Sequence, residues 1–348
     1  MHFPVKRQQV QPERENDPMG DLPFLENPLV NHEQVIERAR RIGEARGLAR
    51  VAVAAAEEDD VLAALYACKQ EGIADAVLIG DREKVEQALD NAEVPRDTFE
   101  LIAVETHEEA ALKSAQLAAA GEADVVMKGY LKTSVLLKTL LKHEHGLRDR
   151  ELVSHSAALY VPAHGKLLNI TDGGTLIQPT LEQKIVILAN GVRVMRAVGI
   201  MKPRVAVFGA SERRDDGPHA DDNRRLIELA REHWGAFLTI DGPMPLDLAV
   251  TDPTSLGIPY APDVAGQADI LLVNSIEEGN IVAKTLIQFG GAIFMGVIAG
   301  AKVPISLVSR SDTMINKKSS VALAVCLADF DRRGFDSLPA MPEMGGER

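Results

Sequence analysis

Ser309, Arg310 and Asp312 stand close together at the end of the stretch Val303-Pro304-Ile305-Ser306-Leu307-Val308-Ser309-Arg310-Ser311-Asp312. Residues 305–308 read as a short apolar strand that stops at a polar turn. Asp312 is a residue type that opens helices, so a helix is expected to start there. A strand running into a helix N-terminus gathers free backbone N–H groups and partial positive charge at one point, which suits a phosphate. Arg310 adds a planar two-pronged donor and Ser309 a hydroxyl. Taken alone, such a corner with an arginine on the surface is common in α/β proteins.

The corner does not stand alone. Several other predicted strands end in a polar or glycine-containing turn. Residues 124–127 run into Lys128-Gly129, 166–171 into Asp172-Gly173-Gly174, 237–240 into Asp241-Gly242-Pro243, and 270–273 towards Glu277-Glu278-Gly279-Asn280. In open α/β sheets ligands bind outside the carboxyl ends of strands. Five such turns carrying Lys, Asp, Asn, Ser and Arg point to one shared cleft for an anionic ligand.

The elements needed to hold these turns are legible. Asn31 with Gln34 forms an N-cap pair, and Val35, Ile36, Ala39 and Ile42 mark one helical face. From there strands (50–56, 76–79, 101–104, 124–127) alternate with helices (60–70, 82–89, 108–120, 134–142), as in a mostly parallel, doubly wound sheet. The alternation breaks at Gly146. Residues 152–161 and 166–171 are extended runs joined by Pro162-Ala163-His164-Gly165, which predicts an antiparallel pair and a domain change nearby. Thr180 and Gln183 form a capping box, followed by a buried stripe of Leu181, Ile185, Leu188, Val192 and Met195. Alternation then resumes with strands 205–208, 237–240, 270–273 and 292–297, helices 221–233 and 281–289, and a last helix over 319–329. The loop 214–222 packs Asp215, Asp216, Asp221 and Asp222, and reads as a solvated surface loop. Residues 1–32 are polar, contain five prolines and read as a loose arm without a secretory h-region.

Composition narrows the function. The chain has 348 residues, 46% of them hydrophobic and only 4% aromatic, with a formal net charge of −13. An acidic chain of this kind argues against nucleic acid or an anionic membrane surface as partner. No apolar run reaches the 18 or more residues of a membrane span, and the globular part reads as cytoplasmic. Cys68 and Cys326 are isolated in apolar surroundings and read as small core residues, not as a disulfide, a metal pair or a nucleophile. The common nucleotide fingerprints and any Cys/His zinc spacing are absent, so no metal is expected. His155 falls on a predicted strand. An interior hydrogen-bonded histidine is its commoner role, and its place beside the domain change keeps it a candidate base.

In order along the chain, these stretches resemble the phosphate acetyltransferase and phosphate butyryltransferase family, and more closely its butyryl branch. The matching residues are 124–129 with Thr133; Gly146-Leu147-Arg148 with Ser154-His155; Ile170-Thr171-Asp172; Pro179 with 181–184 and Asn190; Asp241-Gly242-Pro243 with Asp247; Gly266 with 268–273; Glu278-Gly279-Asn280 with Lys284; and Val303-Pro304-Ile305 with Ser309-Arg310. The resemblance spans about residues 33 to 335. It implies two doubly wound α/β domains with a cleft between them, like isocitrate and isopropylmalate dehydrogenases. Residues 33–150 plus 309–348 would form the first domain and 151–308 the second. It also implies a homodimer that exchanges a short acyl group, butyryl or acetyl, between coenzyme A and phosphate, with acyl-CoA, phosphate and acyl phosphate as partners and no separate cofactor. The family's catalytic Ser-Arg pair falls on Ser309 and Arg310. The thiol needs a base to form the thiolate, and Asp312 is the candidate for it. Lys128, Gly129, Thr133, Arg148, Ser154, Asp172, Glu278, Asn280 and Lys284 are the expected substrate-binding residues. Two other functions remain open on this fold. One is an NAD- and metal-dependent dehydrogenase of the 4-hydroxythreonine-phosphate type. The other is a non-catalytic acyl-CoA-binding relative.

Overall fold

Local caps set where the elements begin. Asn31 accepts the Gln34 N–H at 2.9 Å while Gln34 Oε1 accepts the Val30 N–H at 2.8 Å, which opens the first helix. The computed structural model describes residues 22–23, 25–149, 152–210, 219–258, 263–334, 338–339 and 341. Within them α1 (His32–Arg46) leads to β1 (Ala49–Ala54), α2 (Asp59–Gln70), β2 (Ala74–Gly80), α3 (Arg82–Asn91), β3 (Glu100–Ala103), α4 (His107–Ala119), β4 (Val125–Lys128) and α5 (Thr133–Leu140). The expected hairpin follows as β5 (Ser154–Val161) and β6 (Lys166–Thr171). The chain continues through α6 (Leu181–Ala197), β7 (Arg204–Phe208), α7 (Ala220–Trp234), β8 (Thr239–Met244), the short α8 (Leu246–Val250) and β9 (Ile270–Leu272). It closes with α9 (Ile276–Gly290), β10 (Ile293–Ala299), β11 (Ile305–Ser306) and α10 (Met314–Arg332). The capping box of Thr180 and Gln183 opens α6 as expected.

All these strands join one sheet in the order β3-β2-β1-β4-β11-β10-β5-β6-β9-β7-β8. One wing, β3-β2-β1-β4-β11, is parallel, and so is the other, β6-β9-β7-β8. Between them the pairs β11–β10, β10–β5 and β5–β6 are antiparallel. The wings therefore run in opposite directions, and their carboxyl ends approach the central strands β5 and β10 from two sides. Buried Val, Ile, Leu and Ala fill both faces of the sheet, as parallel strands covered by helices require. α10 packs on α1, α2 and β10, α4 packs on α5 and β1, and α9 lies along β5 and β6.

Several elements differ from the sequence reading. The strand expected over 305–308 pairs only at Ile305 and Ser306. The helix after it is capped by Thr313, not Asp312, and runs unbroken to Arg332, so the separate helix over 319–329 is the body of α10. The turn expected at 277–280 is instead helical, because Ser275 caps α9 five residues earlier than apolar spacing suggested. Part of the stretch read as a loose arm is packed. Leu22 is buried, Pro23 O accepts from Arg38 at 3.1 Å, and the Leu29 N–H donates to Val198 O at 2.9 Å. Of the aspartates placed in the 214–222 loop, Asp221 and Asp222 lie in the first turn of α7, whereas Asp215 and Asp216 fall outside the described residues. No described helix is long and apolar enough to cross a membrane.

Candidate active site

A cavity of about 410 Å³ lies where the two sets of strand ends meet β5 and β10. Its walls include Lys128, the last residue of β4; Thr133, the first of α5; His155 and Ala157 on β5; and Gly173 and Gly174 after β6. Asn280, Ala283, Lys284 and Ile287 contribute one face of α9 at helical spacing, and Phe294 comes from β10. Leu307, Val308, Ser309, Arg310 and Asp312 close it from the chain after β11.

Three glycines shape this space. The Gly174 backbone lies flat against the His155 ring, where a Cβ would come within 2.7 Å of Cγ and Nδ1. Gly173 meets Gly279 of α9, and a Cβ on Gly279 would stand 2.6 Å from Gly173 Cα. Gly296 on β10 leaves room for the Phe294 ring, which turns over it towards the cavity. Phe294 in turn stacks obliquely on His155, with centroids 6.1 Å apart. The floor is thus apolar (Ala157, Ala283, Ile287, Phe294 and Leu307) and the mouth is polar.

The mouth concentrates positive charge. Lys128 is buried, and its ammonium donates to the Gly129 carbonyl at 3.0 Å and the Leu131 carbonyl at 3.4 Å. Burial pushes its pKa down, Arg310 adds to that, and Glu58 and Asp312 oppose it. Arg310 lies over the Tyr130 ring at 4.3 Å, with Nε 3.5 Å from Glu58. Its side chain keeps 67% of its exposure, so the guanidinium is free to meet a ligand. Lys284 adds a third, exposed cation. α5 starts at Thr133 with no side-chain cap, so its leading N–H groups face the same region without a competing acceptor.

Asp312 holds the turn instead of lying open. Its Oδ2 accepts the Ser309 N–H at 2.6 Å, its own N–H donates to Ser309 O at 3.1 Å, and its carbonyl accepts from the buried Lys317. Ser309 Oγ lies 3.2 Å from Ser311 Oγ.

Of the residues singled out in the sequence, Ser309, Arg310, Asp312, Lys128, Thr133, Asn280 and Lys284 line this one cavity. The others do not line it. Gly129 passes so close to the Ala54 and Ala55 carbonyls that no side chain fits. Asp172 is buried and ties down the glycine loop, accepting from the N–H groups of Gly174 at 2.8 Å and Thr175 at 2.9 Å and from the Thr175 hydroxyl. Ser154 is buried and accepts from Asn190 at 3.0 Å. Glu278 accepts the Asn274 N–H at 2.8 Å and fixes the start of α9. Arg148 is exposed, donates to Leu141 O at 2.6 Å and bridges by its backbone to Ala301. Sequence reasoning passed over the apolar floor and Tyr130. The spacing 280, 283, 284, 287 on one helix and 155, 157 on one strand was the available signal for the floor.

His155 stands out from the rest. It is buried, and among the described residues neither ring nitrogen has a hydrogen-bond partner. Burial pushes its pKa down and Lys284 adds to that, while Asp172 and Asp312 pull it up. The reading as a hydrogen-bonded interior histidine does not hold, because the face its side chain meets is the cavity and the glycine loop.

Fold and site together define an α/β protein whose cavity has a cationic mouth and an apolar floor. Comparison with known proteins narrows this class. Residues 31–115 and 102–325 match the phosphate acetyl/butaryl transferase family. A probable phosphate butyryltransferase of Bacillus subtilis is 37% identical over 280 residues, 80% of this chain and 93% of that one. The crystal structure of a branched-chain phosphotransacylase from Enterococcus faecalis superposes with a TM-score of 0.70 at 28% identity, covering 81% of this chain and 99% of that one. A 4-hydroxythreonine-4-phosphate dehydrogenase from Klebsiella pneumoniae shares the fold at a TM-score of 0.52 and 15% identity, covering 81% of this chain and 99% of that one. The chain belongs to the phosphate acetyl/butaryl transferase family.

Proposed function

We propose that this chain moves a short acyl group between coenzyme A and inorganic phosphate, by direct thiol attack on the acyl phosphate while both substrates are bound. The observation that carries the reading is the cavity itself. In a chain of net charge −13, three cations (Lys128, Lys284 and Arg310) converge on one space whose other end is apolar. The phosphoryl end of an acyl phosphate suits the cations and the α5 N-terminus. The acyl tail suits Ala157, Ala283, Ile287, Phe294 and Leu307.

As the thiolate adds to the carbonyl, charge grows on the carbonyl oxygen. The Ser309 hydroxyl and the Arg310 guanidinium are the donors beside it, and such donors act on the transition state more than on the ground state. A covalent acyl-cysteine is disfavoured, since burial pushes both Cys68 and Cys326 up to about 12 and neither lines the cavity. The family resemblance also supports a homodimer working in the cytoplasm, where acyl-CoA and phosphate are at hand.

The test is a panel of acetyl-, propionyl-, butyryl- and branched acyl-CoAs incubated with the full chain, with free thiol followed with and without phosphate. Phosphate-dependent thiol release is expected, faster for the four-carbon and branched chains than for acetyl because each further methylene adds about 0.8 kcal/mol on burial. Thiol release that ignores phosphate, or turnover that needs NAD and a divalent metal, would overturn the reading.

A further inference from the structure

We propose that His155 carries the proton of the acyl transfer, taking it from the coenzyme A thiol and handing it to the departing phosphate. This rests on the acyltransferase reading and assigns within it the base for which Asp312 was the candidate in the sequence.

The geometry separates the two candidates. Asp312 accepts the Ser309 N–H at 2.6 Å, and the turn that presents Ser309 and Arg310 depends on that bond. It is a positioning residue. Lys128 is a donor to two backbone carbonyls. His155 lines the same cavity, and among the described histidines it alone has both ring nitrogens buried without a partner, a state that proteins seldom leave unused. Its ring is also held more firmly than an idle side chain needs. The Gly174 backbone lies on one side and Phe294 stacks against it, while Asp172 fixes the glycine loop and accepts the backbone N–H of His155 at 3.3 Å. Asp172-Gly173-Gly174 therefore reads as a clamp for the imidazole as much as a ligand loop.

The step balances. The S–H bond breaks and its proton moves to an unprotonated imidazole nitrogen as the sulfur forms its bond to the acyl carbon. When the tetrahedral adduct collapses, the bond from that carbon to the phosphate oxygen breaks. The imidazolium then gives the same proton to the leaving oxygen, so the dianionic acyl phosphate and the thiol become the thioester and hydrogen phosphate. No proton is left over and no further base is needed. In the reverse direction the same nitrogen takes the proton from hydrogen phosphate and returns it to sulfur.

Burial keeps this imidazole neutral, ready to accept, down to a pH below its usual range. Around it stand Asp172 from the loop after β6, Asp312 from the turn before α10 and Lys284 from α9, with Lys128 and Arg310 across the cavity. Lysine and arginine favour the neutral ring and the two aspartates favour the charged one.

The experiment measures kcat and KM for butyryl-CoA and phosphate from pH 5 to 8 in the wild-type chain and in His155→Gln. Proton transfer of this kind contributes about 10²–10⁴-fold. The variant is expected to lose at least about 100-fold in kcat, with both KM values within about threefold. The wild type is expected to lose activity on acidification with an apparent pKa below about 6.5, and the variant to lack that limb. A variant within twofold of wild type, or one that keeps the acid limb, overturns the assignment while phosphate-dependent turnover of the wild type leaves the acyltransferase reading standing. If no acyl-CoA gives phosphate-dependent turnover in the wild type, that reading falls and the assignment with it. Where His155→Gln does not fold, the wild-type profile decides alone, and a flat response between pH 5 and 7 overturns the proposal.

Discussion

Arg310, proposed as a donor to the developing oxyanion, contributes little to stability. Its guanidinium is held by the face of Tyr130 and by a 3.5 Å approach to Glu58, both near the solvent. Exposed ion pairs contribute about 0–1 kcal/mol, and an exposed cation–π contact about 0.5–1 kcal/mol. Removing a donor that acts on a developing oxyanion costs far more in rate, about 10²–10³-fold. Arg310→Ala is therefore expected to lower kcat by about that factor while the urea midpoint shifts by no more than the equivalent of about 1–2 kcal/mol. Wild-type turnover in a thiol-release assay of that variant would remove Arg310 from the site. Tyr130→Ala leaves the guanidinium without its platform and is expected to give a smaller loss in kcat at nearly unchanged stability.

At the level of elements, the site depends on α9 lying close to the loop after β6. Gly173 and Gly279 touch backbone to backbone, and a Cβ on Gly279 would stand 2.6 Å from Gly173 Cα and 3.0 Å from a Val273 methyl. These are backbone neighbours, so relief requires α9 to shift. Gly279→Ala adds helix propensity of about 1 kcal/mol, but overpacking costs about 1–3 kcal/mol and acts on the wall that carries Asn280, Ala283, Lys284 and Ile287. The expected outcome is a modest loss of stability in urea together with a several-fold rise in KM for acyl-CoA. An unchanged KM would mean that α9 does not set the width of the cavity. The same region shows where the sequence was legible. Caps with side-chain signatures, Asn31–Gln34 and Thr180–Gln183, marked α1 and α6 because the capping residues themselves are diagnostic. Ser275 was missed as a cap, because the residues it introduces are acidic and glycine-bearing and lack an apolar stripe. The cationic half of the cavity could be read from polar residues at strand ends. The apolar half could not, since Ala157, Phe294 and Leu307 look like core residues until the register Ala157↔Gly296 and the Leu307 N–H to Gly296 O bond bring them side by side. His155 was visible only as a histidine on a strand. What sets it apart is that both ring nitrogens lack a partner at the wall of the cavity, a property of three dimensions.

For the whole molecule, burial of the proposed proton carrier His155 is expected to make the fold sensitive to acid. Burial lowers the folded-state pKa of His155, and of His32 and His164 as well. In the unfolded chain an imidazole titrates near 6.5. Between that value and the lower folded value the unfolded chain binds protons that the folded chain refuses, so stability rises with pH and falls as the solution is acidified. One proton of difference gives a slope of about 1.4 kcal/mol per pH unit, which His155 can approach because it is buried. His32 and His164 add smaller slopes, being more open to water. The carboxylates behave alike but lower down. Glu109, Asp252 and Glu182 are held below their usual range by hydrogen bonds, so their contribution is lost only as pH falls below about 4.5. Urea midpoints measured between pH 7.5 and 5 should therefore begin to fall near pH 6.5, well before the carboxylates titrate. His155→Gln should flatten that first decline and leave the second in place. Should the midpoints of the wild type hold steady or climb between pH 6.5 and 5, His155 is solvated or paired in solution and the closed clamp around its ring is wrong.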